Sequence, residues 1–267
     1  MFAQLRSDIG EMLHEQVTYR ELLFQMVRRD LLLRYKQTIM GFGWAIFTPI
    51  INTLIFSVIF TRVARLDTGI PYPLFAYSGF MAWNLFASSL RGSVGSLTGN
   101  TSLVTKVYFP REIFPFSAVF VALVDFTVSS TILIGFLIYY RIEPSWTILF
   151  VPVIVVVQVA FTAGVALLLA MANLFFRDVK YLFEVVLMFW MFASSVVYPT
   201  SLVGGWLSQA LQLNPMTPII DAYRAVLIRG ELPPAGPFAI AAALAVVTLA
   251  VGWTVFHRAE FKFAENV

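Results

Sequence analysis

Thirty-one consecutive residues, Trp146 to Phe176, carry no charge, and neither do the thirty-six from Val185 to Ile220. At about 1.5 Å of rise per residue either run, as helix, exceeds a hydrocarbon core of about 30 Å. Comparable apolar blocks run from Trp44 to Thr61, about Leu74 to Leu97, Ile113 to Tyr140 and Phe238 to Phe256. The whole chain is 59% hydrophobic and only 12% charged, against about 25% charged in a soluble domain. It cannot cover itself with a hydrated surface, so lipid is its solvent. The 26 phenylalanines suit helices buried on all sides, or a pore lined with rings.

Taken in order, the pattern predicts an all-α membrane protein forming a single transmembrane domain over 1–267. Residues 17–36 are amphipathic. Leu23, Val27 and Leu31 share a face, and Arg20, Gln25, Arg28 and Arg29 lie mostly elsewhere. A basic helix of moderate hydrophobicity lies in the interface plane. Gly41 and Gly43 allow a bend into the first span, where Pro49 is expected to kink the helix. The second span carries a polar-aromatic stripe of Tyr77, Phe80, Asn84, Ser88 and Arg91, which belongs toward a bundle interior or a pore. A wet, basic island comes next at 98–116, with a loop at 98–111 between spans two and three. The run from Val185 is too long for one helix and too short for two spans and a loop. Pro199, Gly204, Gly205, Pro215 and Pro218 break it. One span to about Tyr198, then a re-entrant extracytoplasmic segment over 199–229, is the simplest solution. Such backbone is tolerated only where protein or water covers it. A sixth span then leads to a polar tail.

Six spans place both termini on one side. That side holds six Lys and Arg in the N-terminal segment and two each in the island (Lys106, Arg111), the loop Arg177–Lys180 and the tail (Arg258, Lys262). The opposite side holds five: Arg62, Arg65, Arg141, Arg224 and Arg229. Twelve against five puts the island and both termini in the cytoplasm by the positive-inside rule. Residues 1–21 carry Arg6, Asp8, Glu11, Glu15, Arg20 and Glu21 with no apolar h-region, so they do not read as a signal peptide.

Several chemistries are excluded. There is no Cys, hence no disulfide or thiol site. With only His14 and His257 present, no catalytic or metal-ligating residue is expected. The pattern G-x-x-x-x-G-K-[ST] is missing, and no Gly-Lys pair occurs. Any nucleotide site must therefore sit on another chain.

Four stretches, RDLLLRYKQTIMGFGWAIFTPI (29–50), SLVTKVYFPREIFPFSAV (102–119), NLFFRDVKYL (173–182) and NPMTPIIDAYRAVLIRG (214–230), resemble the permease subunit of ABC exporters for cell-surface polysaccharides. The likeness runs through essentially the whole chain in order. It implies a homodimer bound by two copies of a separate P-loop ATPase. ATP and Mg would be on that partner, with no cofactor here and no nucleic acid. It implies export of an undecaprenyl-diphosphate-linked polysaccharide, O-antigen first, across a bacterial plasma membrane. Teichoic acid, capsule, or a small drug or lipid are the alternatives. The family's ATPase-coupling helix maps onto Asn100, Thr101, Ser102, Leu103, Val104, Thr105, Lys106, Val107, Tyr108 and Phe109, with Arg111 closing it.

The remaining candidates have two readings each. Arg28, Arg29, Arg34 and Lys36 either anchor the interface helix or attract the lipid pyrophosphate. Tyr77, Phe80 and Trp83 either pack or stack on sugars in a channel, which Asn84, Ser88, Arg91, Glu184 and Tyr198 would also line. Arg91 and Glu184 could instead snorkel to the interface, and Asp125 reads best as a partner between helices. Trp44 and Trp146 look like interface-belt residues. An ion-coupled carrier would show more than one deep carboxylate, and a metal-dependent transferase a paired-acid motif; neither is present.

Overall fold

A computed structural model describes residues 10, 15–36, 41, 43–63, 68–106 and 109–263. Every regular element among them is helical. They are α1 (Arg20–Tyr35), α2 (Gly43–Val58), α3 (Tyr72–Val94), α4 (Thr101–Lys106), α5 (Ile113–Tyr139), α6 (Val151–Phe175), α7 (Val179–Phe192), α8 (Gly205–Leu213), α9 (Met216–Arg224) and α10 (Ala235–Ala259). Four stretches, Gly43–Arg62, Ile113–Tyr139, Trp146–Phe175 and Ala235–Lys262, are long and apolar enough to cross a membrane. The helix α3 is long enough at 23 residues, but its serines, Asn84 and Arg91 lower its hydropathy. Pro49 lies inside α2 without ending it. That helix closes in a π-helical turn, Ile59–Val63.

The most buried helix is α3, with α5, α6, α2 and α9 packed around it. Its polar character and its central place have one cause. Side chains that lipid would reject find partners when protein surrounds them. Tyr77 donates to the Ser129 carbonyl at 2.9 Å, Gln158 of α6 donates to the Ala82 carbonyl at 2.6 Å, and Tyr223 of α9 donates to Gln158 Oε1 at 2.9 Å. Gln158 thereby joins three helices.

Around this core, α10 packs along α6 through two glycines. A Cβ on Gly164 would lie 2.6 Å from the Thr248 carbonyl carbon, and one on Gly252 would lie 2.5 Å from the Gly164 carbonyl oxygen. Close approach of small residues is how helices gain dispersion energy where lipid supplies no hydrophobic drive. Gly164→Leu is expected to force α6 and α10 apart and lower the thermal midpoint of the detergent-solubilised protein. Gly135→Leu, whose Cβ would meet nothing within 4 Å, should leave it unchanged.

A second apolar cluster gathers one end of the bundle. Met26 of α1, Leu97 just before the island, Val104 and Phe109 within it, Ile113 and Phe114 of α5, Leu167 and Leu174 of α6, and Phe256 and Phe263 at the C-terminal end all meet there. Three of the four segments that the charge count grouped, the N-terminal helix, the island and the C-terminal end, are thus together in space.

The uncharged run after Val185 folds differently from the simplest reading. The helix α7 stops at Phe192, not near Tyr198. Beyond it the chain turns back into the protein, and side chains satisfy its carbonyls. Tyr198 donates to Phe192, Asn214 to Ala193 at 2.8 Å, Arg224 to Ser195 at 2.5 Å and Val196 at 2.9 Å, and Tyr72 to Val197 at 2.8 Å. Trp190 further donates to Asn214 Oδ1 at 2.9 Å. Buried backbone outside a helix has to find partners for its carbonyls in this way. Arg224, which the charge count assigns to an outer loop, is instead fully buried, with 0% of its side chain exposed. Its guanidinium sits 3.5 Å over the Phe75 ring and 3.0 Å from Asp221.

Candidate functional site: the island, the interface helix and the cavity between them

The island folds into a short helix with two faces. Thr98–Asn100 form a 3₁₀ turn leading into α4. Val104 is buried in the second cluster and Leu103 is half-buried against it, whereas Thr101, Ser102, Thr105 and Lys106 are exposed. Phe109 is buried against Phe114, their rings 5.5 Å apart. Val107 and Tyr108 lie outside the described residues. Six residues make too short a helix to hold itself in water, so its neighbours position it. Asn100 accepts from Arg29 of α1 at 3.1 Å. Arg111 donates from its backbone N–H to Glu260 at 2.9 Å, from its side chain to the same carboxylate at 3.1 Å, and to the Val104 carbonyl at 3.3 Å. Among the assigned coupling residues, Arg111 is therefore a strut under α4, and the four exposed side chains form the surface.

The interface helix is tied to the bundle at three levels. Arg29 reaches Asn100, Asp30 accepts from Ser117 of α5 at 3.0 Å, and Asp125 accepts from both Arg34 and Tyr35 at 2.5 Å. Asp125 lies twelve residues beyond Ile113, about 18 Å along α5. A carboxylate so deep in an apolar helix needs a partner, and Arg34 with Tyr35 supplies it. Burial raises the Tyr35 hydroxyl pKa, and the bond to Asp125 adds to it, so this phenol stays a proton donor. Arg28 and Lys36 are exposed, and Arg29 is half-buried. Leu23 and Val27 of the expected apolar face, with Phe24, line a groove against Phe120 and Leu123 of α5.

Between α1, α2, α3 and α5 opens a polar cavity of about 320 Å³, lined among others by Arg34, Tyr35, Asn84, Ser88, Arg91 and Asp125. Arg91 also pairs with Glu184 of α7 at 3.1 Å, both side chains about half exposed (52% and 50%). In such surroundings the pair contributes only about 0–1 kcal/mol. Asn84, Ser88 and Arg91, three residues of the α3 stripe, thus face open space. The aromatic residues point elsewhere. Tyr77, Phe80 and Trp83 are buried in the protomer, at 0%, 1% and 4% exposure, against Phe136, Phe56 and Phe86 respectively. Rings find rings, and the polar residues are left to the cavity. Tyr198 lies at the opposite end, bonded to the Phe192 carbonyl. Trp44 and Trp146 are exposed, at 47% and 69%.

The fold also brings together residues that sequence reasoning left apart. Glu112, wholly buried beside Arg111, lies 3.0 Å through Oε1 from His257 Nδ1, across 145 positions of sequence. Glu15 and Glu260 flank the pair. Neither spacing nor periodicity signals such a cluster.

An all-helical bundle with four stretches long and apolar enough to cross a membrane fits a multi-pass membrane protein, and its relatives make it a transport subunit, not an enzyme. The chain belongs to the ABC-2 type transporter family, whose sequence pattern matches residues 21–228. It is 32% identical over 259 residues to the O-antigen export system permease protein RfbA of Myxococcus xanthus, an alignment covering 96% of this chain and 99% of that protein. It is 30% identical over 247 residues to the protein of the same name from Klebsiella pneumoniae, covering 92% and 94%.

Proposed function

We propose that the chain is the permease subunit of an ATP-driven exporter that moves an undecaprenyl-diphosphate-linked polysaccharide, most directly O-antigen, to the outer face of the bacterial inner membrane. The observation that carries this is the likeness, over nearly its full length, to proteins named as O-antigen export permeases. In this reading α3 and α7 join the four more apolar stretches as spans, both termini are cytoplasmic, and two protomers enclose the path. The apolar side chains that α2 and α7 expose, among them Ile55, Val58, Val185 and Phe189, suit burial against a second protomer or lipid. Two copies of a P-loop ATPase, carrying ATP and Mg, dock on the exposed face of α4. The cavity beside α1 supports the substrate class. It holds two guanidiniums, Arg34 and Arg91, each now paired with a carboxylate, Asp125 and Glu184; an anionic diphosphate headgroup would compete for them through the charge-assisted bidentate bonding that suits phosphate oxygens.

Deletion of the gene is expected to abolish long-chain glycan at the cell surface, read by gel of extracted lipopolysaccharide, and the wild-type copy should restore it. Unchanged surface glycan would favour a small drug or lipid as the cargo. Within that assay Arg91→Ala should lower the surface glycan without lowering the amount of permease in the membrane. Export equal to wild type would remove Arg91 from the path.

A further inference from the structure

We infer that Glu15, Glu112 and His257, with Glu260 beside them, form a binding site for one divalent cation of the zinc or manganese kind at the island end of the bundle. One ligand atom from each of the first three lies within 4.8 Å of the others. Glu260 Oε2 is 3.8 Å from His257 Nδ1. Tetrahedral zinc with bonds of about 2.0–2.2 Å needs donors about 3.4 Å apart, so the three donors would have to draw in by at most about 1.4 Å on binding.

A second observation points to a cation. Glu112 has 0% of its surface exposed. Its Oε1 is held by His257, but its Oε2 is buried with no hydrogen-bond donor among the described residues. An orphaned carboxylate oxygen is among the costliest groups to bury. The adjacent guanidinium, Arg111, is turned to Glu260 and the Val104 carbonyl. A cation between the carboxylates would satisfy the orphan oxygen. It would take Nδ1 of the imidazole, whose proton then resides on Nε2. One imidazole nitrogen with carboxylate oxygens suits zinc or manganese, whereas magnesium and calcium prefer oxygen alone.

The placement suggests what the ion would do. Glu15 precedes α1, Glu112 lies in the island immediately before α5, and His257 lies in the last turn of α10. A single ion would fasten the interface helix and the last span to the base of α4, where the Arg111–Glu260 pair already holds it.

The test uses the full-length chain, purified in detergent without a polyhistidine tag and stripped with chelator. It is titrated calorimetrically with zinc, manganese or magnesium chloride alone, and retained metal is counted after desalting. The expected result is about one zinc or manganese ion per protomer, a higher thermal midpoint with the ion, and no retained magnesium. Glu112→Gln and His257→Ala should each weaken binding at least tenfold. Glu15→Gln, on the half-exposed side, should do so without touching the buried pair, which keeps the test valid if the other variants fail to fold. Glu143→Gln, outside the cluster, should bind as wild type. No retention of zinc or manganese by the wild-type chain overturns the site. So does affinity in Glu15→Gln within twofold of wild type.

Discussion

Arg224→Ala is expected to yield little folded protein, and the folded fraction should unfold at a much lower temperature than wild type. The substitution removes the donors to the Ser195, Val196 and Phe75 carbonyls and the cation over the Phe75 ring. The Ser195 and Val196 carbonyls belong to a chain reversal with no helix to satisfy them, and both residues are fully buried, where water does not replace the lost bonds. Removing one partner from a buried charge network typically costs about 3–5 kcal/mol. Asp221, with about a third of its side chain exposed (34%), would not be stranded, so the loss falls on the backbone carbonyls. Arg224→Lys should recover only part of the stability, because an ammonium cannot span the fork that the guanidinium fills. Gly79→Leu should reproduce the defect from the other side. A Cβ there would lie 2.5 Å from the Val196 carbonyl oxygen and 2.6 Å from Arg224 Nη2. Expression followed by fluorescence-detected size exclusion and thermal unfolding checks all three. A monodisperse Arg224→Ala protein with the wild-type midpoint would show that the reversal is held by something else.

Ser102→Glu with Lys106→Glu is expected to leave the fold intact and abolish export. Both side chains are on the exposed face of α4, while Val104 beneath them keeps the helix seated. Two acids there reverse the charge of the face proposed above to meet the ATPase, and like-charge or desolvation penalties at an interface reach several kcal/mol. Co-purification of the ATPase with the permease should fall at least tenfold while the permease's thermal midpoint stays put. Retention of the ATPase at wild-type level would move the docking surface off α4. Arg111→Glu makes a poor probe of docking, because Arg111 forms a buried pair with Glu260 (14% and 11% side-chain exposure). Its reversal should destabilise the protomer first and lose the ATPase only as a consequence. Comparing the two variants separates contact with the partner from support of the contacting helix.

Much of this arrangement was legible in the residues. Hydropathy is a running property of the chain, so apolar blocks announce membrane residence wherever they fall. Breaks such as Pro199, Gly204 and Pro215 showed that the uncharged run could not be one helix, but α7 already stops at Phe192, before the first of them. Charges at block ends grouped the segments that the second cluster now joins. Asp125, a lone acid in a span, announced a partner without saying which.

The partners themselves were not legible, because they depend on which helix faces which. The α3 stripe was a single polar-aromatic row in sequence. The packing divides it, with Tyr77 and Phe80 turned to other rings and Asn84, Ser88 and Arg91 left on a cavity. Arg224 and Arg229 were equivalent cations in the same loop, yet of the two only Arg224 is fully buried. Burial of a charge is decided by the carbonyls and rings that close around it. Those come from Phe75, Ser195 and Val196, far away in the chain. Glu112 and His257 meet only because α5 begins where α10 ends. Sequence alone determined that this chain lives in lipid and where it must surface, since both depend on local transfer free energies. Only the tertiary structure decided which polar groups satisfy one another, since that is a matter of distances between helices.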